Sequence, residues 1–301
     1  MKQTFQEIIK LAALEAAGQD APTVPAIAKE LLHYDILLAL SQSEIAKQVV
    51  FQGGTALRLC YGGQRYSEDL DFVVGGATEP FMLDQVEKLL KRHVLDRYDL
   101  EAHLEPPRAD RLFGSETTVV KKWTMVIQIP GFLKTQKVNI EFCNVNAYDI
   151  QTMILQPRYG FLPPQYGEIV LRVESQDEIL ADKIIAVAGR PYLKARDIWD
   201  IKFLTQGGYT PNLDLICHKI KDYHIDDIFE KIDLSLARLG GVEAGGQFVK
   251  EMSRFVSPKV MAAITSETPP GKTWLNHTIK IMSGVKVDLQ NRLEINQSPS
   301  P

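Results

Sequence analysis

The stretch "FQGGTALRLCYGGQRYSEDLDF" occupies residues 51–72 and combines a glycine pair with a dense acidic segment. Apolar residues before Gly53 and Gly54 predict a short buried strand that ends at this turn, and "TALRLCYG" predicts a helix that starts there. The following "DLDFVV" (69–74) alternates polar and apolar residues and is rich in strand formers. The stretch therefore predicts a strand, a glycine turn, a helix and a second strand in close succession.

The second strand carries two acidic residues on one face. Side chains alternate along a strand, so Asp69 and Asp71 point one way while Leu70 and Phe72 point towards the core. Two carboxylates roughly 7 Å apart repel each other, and a shared divalent cation relieves that repulsion best. Mg²⁺ suits such a site because it binds one or two carboxylates and completes its octahedron with phosphate oxygens and water. The alternative is an acidic strand end that faces solvent.

The glycine turn offers the complementary half of such a site. Gly53 and Gly54 allow the backbone to approach a ligand, and the helix N-terminus presents N–H groups to phosphate. Thr55 adds a hydroxyl, although it could instead cap the helix after a plain tight turn. Arg65 and Ser67 are candidate phosphate ligands, with a solvated loop arginine and a loop-ordering serine as the alternatives. The order strand, GGT, helix, RxSxDLDF favours a phosphate-and-metal site.

Two later segments carry further candidates. In "KVNIEFCNV" (137–145), Glu141 shares a strand face with Asn139, so it could complete a metal cluster on a neighbouring strand or simply face solvent. In "EILADKIIAVAGR" (178–190), Lys183 lies inside an apolar helical sector. A buried ammonium needs an anionic partner, which could be a structural carboxylate or a phosphate.

A third segment, "RDIWDIKFL" (196–204), places Asp197 and Asp200 three residues apart on one helix face. Trp199 belongs to a separate stripe, which we expect to pack into the core. We interpret Asp200 and Arg58 as members of structural ion pairs.

The composition is that of a soluble globular protein, with 45% hydrophobic and 24% charged residues. A net charge of −4 argues against non-specific coating of nucleic acid but permits a local basic cleft. Three dispersed cysteines predict a reducing cytoplasm without disulfides or structural zinc. No apolar run is long enough to span a bilayer, and the N-terminus lacks the apolar core of a secretory signal.

The opening motif resembles the nucleotidyltransferase superfamily related to DNA polymerase β, whose core motif is G-[ST] followed by D-x-[DE]. More narrowly, it resembles the AbiEii/AbiGii family of nucleotidyltransferase-like toxins, which includes the MenT toxins. The three later motifs follow in the order and approximate spacing expected of that family. The resemblance covers about residues 50–205.

The resemblance implies an α+β fold, with a mixed-sheet nucleotidyltransferase core and N-terminal helices in residues 1–175. A C-terminal helical domain, residues 176–301, would complete the active site. The implied metal ligands are Asp69, Asp71 and Glu141. The implied nucleotide-binding residues are Gly53, Gly54, Thr55, Arg65, Ser67, Lys183 and Arg196. Asp197, together with the metal ligands and Lys183, is an implied catalytic residue.

The implied activity is Mg²⁺-dependent transfer of a nucleotide from an NTP to an RNA acceptor, specifically the 3′ end of tRNA, with release of pyrophosphate. A cytoplasmic toxin of this kind would have a cognate antitoxin encoded next to it. Alternatives are a nucleotidyltransferase that acts on a small molecule or protein, and a non-catalytic NTP-binding regulatory module. Two groups of basic residues are candidates for an RNA cleft, or are ordinary solvated charges: Lys121, Lys122, Lys134 and Lys137, and Arg190, Lys194 and Arg196.

Overall fold

The computed structural model describes residues 4–17, 24–75, 80–91, 100–111 and 118–297. The chain divides into two compact units. The first contains residues 1–175 together with the short segment Arg254–Pro258. The second contains residues 176–253 and 259–301.

The first unit consists of helices and one sheet. Its helices are α1 (Phe5–Ala17), α2 (Val24–Ser41), α3 (Gly53–Cys60) and α4 (Pro80–Leu90), with short 3₁₀ turns at Glu44–Lys47 and Pro164–Glu168. Its strands are β1 (Val50–Gln52), β2 (Asp69–Val73), β3 (Glu101–Arg111), β4 (Val119–Gln128), β5 (Gln136–Cys143), β6 (Ile150–Ile154) and β7 (Val170–Glu174).

The seven strands form a mixed sheet in the order β3-β4-β5-β2-β1-β7-β6. β2 runs parallel to β5, and β1 runs parallel to β7. The pairs β1–β2, β3–β4, β4–β5 and β6–β7 are antiparallel. This mixed sheet, with helices before and after it, confirms the predicted α+β fold class.

The centre of the sheet is held by aromatic side chains on the face opposite the acidic residues. Phe72 packs between Phe51 and Phe142, with ring centroids 5.2 and 5.1 Å apart. All three side chains are buried. Burying each one stabilises the fold by roughly 1.5–3 kcal/mol, and aromatic pairing adds to this. Because the apolar residues of "DLDF" pack into the core, its two aspartates point to the opposite face of the sheet.

Two strands differ from the sequence-based expectation. The sequence did not predict β6, because every described side chain on it is exposed or half-buried and it shows no apolar face. Strand β3 continues past Pro106 and Pro107 to Arg111, although proline disfavours the interior of a strand. Proline is tolerated there because β3 lies at the edge of the sheet and its register shifts between Glu105 and Arg108.

The second unit is helical. Its helices are α5 (Gln176–Gly189), α6 (Ala195–Gln206), α7 (Leu213–Asp222), α8 (Ile228–Leu239), α9 (Ala244–Met252), α10 (Pro258–Thr265) and α11 (Lys272–Gln297). Trp199 stacks on Trp274 with ring centroids 5.6 Å apart, but both rings are half-buried, and the fully buried apolar residues of α6 are instead Ile198, Ile201 and Leu204. None of the helices among the described residues has the length and apolar character needed to cross a membrane.

Candidate active site

Three carboxylates lie on one face of the central sheet. β2 and β5 pair in parallel register, with Asp69 opposite Asn139 and Asp71 opposite Glu141. Paired positions of a parallel ladder point to the same side of the sheet, so Asp69, Asp71 and Glu141 share a face. Both aspartates are half-buried, and the Glu141 side chain is 29% exposed. The structure thus brings the three predicted metal ligands to adjacent strands, and their ligand role stays a prediction.

Neighbouring side chains orient two of these carboxylates. Asn139 Nδ2 donates a hydrogen bond of 2.8 Å to Asp69 Oδ1. Thr124 Oγ1, on β4, donates to Asn139 Oδ1 at 3.0 Å, which turns the amide nitrogen towards the aspartate. Lys122 Nζ lies 3.1 Å from Glu141 Oε1. We call Asp69, Asp71 and Glu141 the acidic face.

The glycine turn packs directly against this acidic face. Gly53 has a φ of +75°, and a Cβ at this position would lie 2.7 Å from Asp71 Oδ2. A Cβ at Gly54 would lie 2.1 Å from a guanidinium nitrogen of Arg65. Glycine is therefore favoured at Gly53 by conformation as well as by space, and a side chain at Gly54 would displace the Arg65 guanidinium.

Helix α3 begins at Gly53, so Thr55 is its third residue and the N-cap alternative is wrong. The Thr55 hydroxyl donates instead to the backbone carbonyl of Asp69, which ties the helix to β2. This bond holds the N-terminal turn of α3, with its backbone N–H groups, beside the carboxylates. The predicted contact between Thr55 and phosphate stays a prediction.

Polar side chains in the loop between α3 and β2 are buried rather than solvated. Arg65 is only 4% exposed, so the solvated-arginine alternative is wrong. Its guanidinium packs on Gly54 and donates to the carbonyl of Tyr66 at 2.9 Å. Ser67 is also buried. A positive charge fixed at the start of α3 reinforces the attraction of a helix N-terminus for anions.

Sequence reasoning missed the contacts that anchor this loop. Glu68 lies 2.7 Å from Lys29 Nζ and 3.1 Å from Arg254, which is 186 positions further along the chain. The backbone N–H of Tyr66 also bonds to the carbonyl of Phe255 at 2.8 Å. The segment Arg254–Pro258 thus belongs to the first unit because it braces the loop before β2. No local pattern in the sequence signals a partner so far away.

In the second unit, four ionic side chains form a compact group, which we call the four-ion cluster. Lys183 Nζ lies 2.9 Å from Asp197 Oδ1 and 3.0 Å from Asp200 Oδ2. Arg190 approaches Asp197 Oδ2 at 2.8 Å. The carboxylates are 2% and 3% exposed, so the anionic partner that Lys183 needs is supplied from within the unit. The interpretation of Asp200 as an ion-pair residue is confirmed, as is that of Arg58, which pairs with Glu30.

The electrostatics of the cluster keep Asp197 ionised. Burial alone raises the pKa of Asp197, but the charges on Lys183 and Arg190, with that of Lys194, outweigh it and hold the pKa well below its usual value. A carboxylate this acidic is a poor proton acceptor at neutral pH. Asp197 is therefore suited to position cations, and the predicted contact of Lys183 with triphosphate stays a prediction.

Arg196 is the remaining predicted nucleotide ligand. Its Nε lies 3.3 Å from Glu251 Oε1, and Glu251 Oε2 accepts a hydrogen bond from the backbone N–H of Ala195 at 2.7 Å. This contact joins the start of α6 to α9. Whether Arg196 also binds nucleotide stays a prediction.

The basic residues on the strands do not form one group. Lys122 is opposite Glu141 on β4–β5, whereas Lys121 is opposite the buried Phe142 and lies on the other face. The expectation that Lys121 and Lys122 line one cleft is therefore wrong, because neighbouring residues on a strand alternate. Lys137 shares the face of Glu141 and pairs with Glu105 at 3.0 Å.

Comparison with known proteins identifies the family. The model of the family described as "Nucleotidyl transferase AbiEii toxin, Type IV TA system" matches residues 35–264. The chain belongs to this family. Membership makes it a nucleotidyltransferase of a type IV toxin–antitoxin system, with a nucleotide substrate and an antitoxin partner.

Two solved structures match the chain over most of its length. One is a putative nucleotidyltransferase from H. pylori, which is 18% identical; the match covers 91% of this chain and 98% of that one, with a TM-score of 0.43. The other is JHP933 from Helicobacter pylori, 16% identical over 92% of this chain and 100% of that one, with a TM-score of 0.44. No curated protein matches the sequence.

Proposed function

We propose that this AbiEii-family toxin is a Mg²⁺-dependent enzyme that transfers a nucleotide from an NTP to the 3′ end of a tRNA and releases pyrophosphate. The observation that carries the proposal is the acidic face itself: Asp71 and Glu141 in register on parallel strands, Asp69 beside them, and the start of α3 against Asp71. NTP and tRNA are cytoplasmic substrates, so we propose that the toxin acts in the cytoplasm.

The residues of the acidic face fit a magnesium site. Asp69, Asp71 and Glu141 offer only hard oxygen ligands and remain accessible to solvent, which is the chemistry that Mg²⁺ prefers. A strand that only faces solvent does not need its carboxylates to be oriented. Here Asn139 and Thr124 hold Asp69 in a fixed orientation, which favours a ligand site. When bound, Mg²⁺ would neutralise phosphate charge and help to ionise the acceptor hydroxyl.

The side chains around this site have separable roles in the proposal. Glu141 accepts the proton of the acceptor hydroxyl, which attacks the α-phosphorus in line. The N–H groups of Gly53 and Gly54 bind phosphate oxygens at the start of α3, and Arg65 adds positive charge there. Ser67 is proposed to complete this phosphate contact with its hydroxyl, and Thr55 with its backbone N–H, because the Thr55 hydroxyl donates to the Asp69 carbonyl.

The roles that we propose for three residues in the second unit rest on the family resemblance. Lys183 is proposed to neutralise charge on the departing pyrophosphate, and Arg196 to bind the nucleotide. Asp197 positions Lys183, since it holds the ammonium at 2.9 Å. The second unit is thus proposed to complete the active site.

The proposal is tested by incubating the purified protein with labelled NTPs and total cellular RNA, with and without Mg²⁺. We expect label to enter tRNA only when Mg²⁺ is present, and Asp71→Asn to abolish the incorporation. Label that enters protein or a small molecule while RNA stays unlabelled would overturn the proposed acceptor. Tight NTP binding without any transfer would support a regulatory module instead.

A further inference from the structure

A recess in the second unit is lined by more positive than negative charge. It lies between the C-terminal end of α5, the following loop, the start of α6 and α8, and it has about 270 Å³ of empty volume, part of it open to solvent. Its charged lining consists of Arg190, Lys194 and Arg238 against one carboxylate, Asp197. We call this the basic recess.

Two of the three cations have no acidic partner. Arg190 is engaged by Asp197, but within the ranges that the structure describes neither Lys194 nor Arg238 forms an ion pair with a carboxylate. Arg238 donates only a long hydrogen bond of 3.4 Å to the carbonyl of Val187. Among the described residues, the recess therefore carries two positive charges that have no ion-pair partner, although Asp197 also attracts Lys194.

The environment of these cations favours an anion over water. Burial lowers the pKa of Lys194, and the nearby positive charges of Arg190 and Arg196 lower it further, against the opposing influence of Asp197. Burial likewise lowers the pKa of Arg238. An anion bound beside these two side chains would compensate for the hydration that they have lost.

An aromatic side chain lies beside the charges. Tyr192 lines the recess and is 60% exposed, which is a large accessible area for an aromatic side chain. Exposed aromatic rings next to cations are the usual platform on which nucleobases stack when a positively charged groove binds nucleotides. The recess is shallow and partly open to solvent, so a nucleotide whose phosphate lies against its cations would leave the base outside, beside Tyr192.

We propose that the basic recess binds one nucleoside phosphate, with Lys194 and Arg238 holding the phosphate group and Tyr192 stacking on the base. The nucleotide could come from the RNA acceptor or from a free NTP, which share this chemistry. The inference deepens the proposed function and rests on it for the identity of the nucleotide. Binding at the recess itself requires no transfer step.

The test measures binding of two probes, a short single-stranded RNA with a 5′-phosphate and ATP, to the full chain. The main variant is Lys194→Met/Arg238→Met, and the matched control is Lys231→Met, a cation on the same helix α8 that pairs with Asp227. We expect the double variant to bind at least one probe ten or more times more weakly. The salt dependence of that probe's binding should become shallower, because phosphate contacts release counterions. The control should bind as the wild type does.

The aromatic contribution is tested by Tyr192→Ala against Tyr192→Phe. Only the alanine variant should weaken binding, since phenylalanine retains the stacking face. Loss for RNA alone assigns the recess to the acceptor, and loss for ATP alone assigns it to the NTP. Unchanged affinity of the double variant for both probes overturns the proposal.

The same measurements in an Asp69→Asn background separate this inference from the proposed function. Dependence on Lys194 and Arg238 that persists in the Asp69→Asn protein supports the recess, even if no transfer is ever detected. Circular dichroism of each variant verifies that the helical unit is folded.

Discussion

The acidic face and the four-ion cluster contain the same kinds of side chain in opposite environments. On the sheet, Glu141 is 29% exposed and its cation, Lys122, is 30% exposed. In the helical unit, Asp197 and Asp200 are 2% and 3% exposed and share Lys183. A half-exposed carboxylate can exchange its contacts for a ligand at small cost, whereas a buried one cannot lose a partner without leaving an uncompensated charge. We therefore propose that the carboxylates of the acidic face bind a cation, whereas Asp197 and Asp200 stabilise the fold.

The largest expected effect is loss of transfer in Asp69→Asn and in Asp71→Asn. Each substitution should reduce RNA labelling by about 10²–10³-fold or more, because it removes a charged metal ligand at the reacting phosphate. Both variants should keep the wild-type thermal unfolding midpoint, since repulsion within the acidic face is relieved. Near-normal turnover in Mg²⁺ would contradict the metal assignment, and unfolding of both variants would favour a structural role.

The second prediction concerns Lys183, whose substitution should affect both nucleotide transfer and the stability of the helical unit. Lys183→Ala should slow transfer by an order of magnitude or more. Lys183→Met keeps the apolar stem but leaves two buried carboxylates with one fewer cation, so it should also destabilise the helical unit by about 3–5 kcal/mol. Urea unfolding, followed by fluorescence of Trp199 and Trp274, measures that loss.

The double variant Lys183→Met/Asp200→Asn separates these two effects. It removes one charge of each sign and leaves Asp197 with Arg190, so most of the lost stability should return. Transfer should remain low if Lys183 acts on phosphate. Recovery of transfer together with stability would show that Lys183 is purely structural.

The residues of the acidic face could be predicted from the sequence, but most of the contacts that hold them in place could not. Alternation in "DLDF" predicted which way Asp69 and Asp71 point, because strand parity is a local property. The resemblance added Glu141, whose register with Asp71 confirms that the two lie on neighbouring strands. The contact of Glu68 with Arg254 and the charge of Arg238 in the recess were missed, since both depend on residues brought together only by folding. The expectation that Lys121 and Lys122 line the same cleft was wrong, because neighbouring residues on a strand point to opposite faces of the sheet.

A third prediction concerns pH and distinguishes the two units. Burial lowers the pKa of His33, in α2, from 6.5 to about 4. The unfolded chain binds this proton more readily, so stability present above pH 6.5 is lost as the pH falls towards 4, by about 3 kcal/mol in total. Urea titrations at several pH values measure the loss. His33→Gln, which can still donate to the carbonyl of Glu68, should flatten the profile in this range.

Asp197 should act in a lower pH window than His33. The folded pKa of Asp197 lies below the ordinary value of 3.8, so its contribution to stability is fully present above that pH and is lost as the pH falls below it.

For His33, a stability profile of the wild type that stays flat between pH 6.5 and 4 would contradict the burial of a neutral imidazole.

The smallest expected effect is that of Lys122→Met on metal affinity. Lys122 competes with a cation for Glu141, but a partly exposed ion pair is worth only about 0.2–1 kcal/mol. Divalent cation affinity should therefore rise by less than about fivefold, as measured by calorimetric titration. Weaker cation binding in this variant would mean that Lys122 supports the site through the nucleotide phosphates.

The central claim, which is a proposal, is that the acidic face binds a divalent cation and that the buried carboxylates of the four-ion cluster do not. Mn²⁺, which is paramagnetic, can stand in for Mg²⁺ in electron paramagnetic resonance titrations with a non-hydrolysable ATP analogue. Asp71→Asn should weaken Mn²⁺ binding at least tenfold, whereas Asp200→Asn, which removes an equally charged but buried carboxylate, should bind Mn²⁺ as the wild type does. Equal binding by Asp71→Asn and the wild type, or equal loss in both variants, would contradict the account.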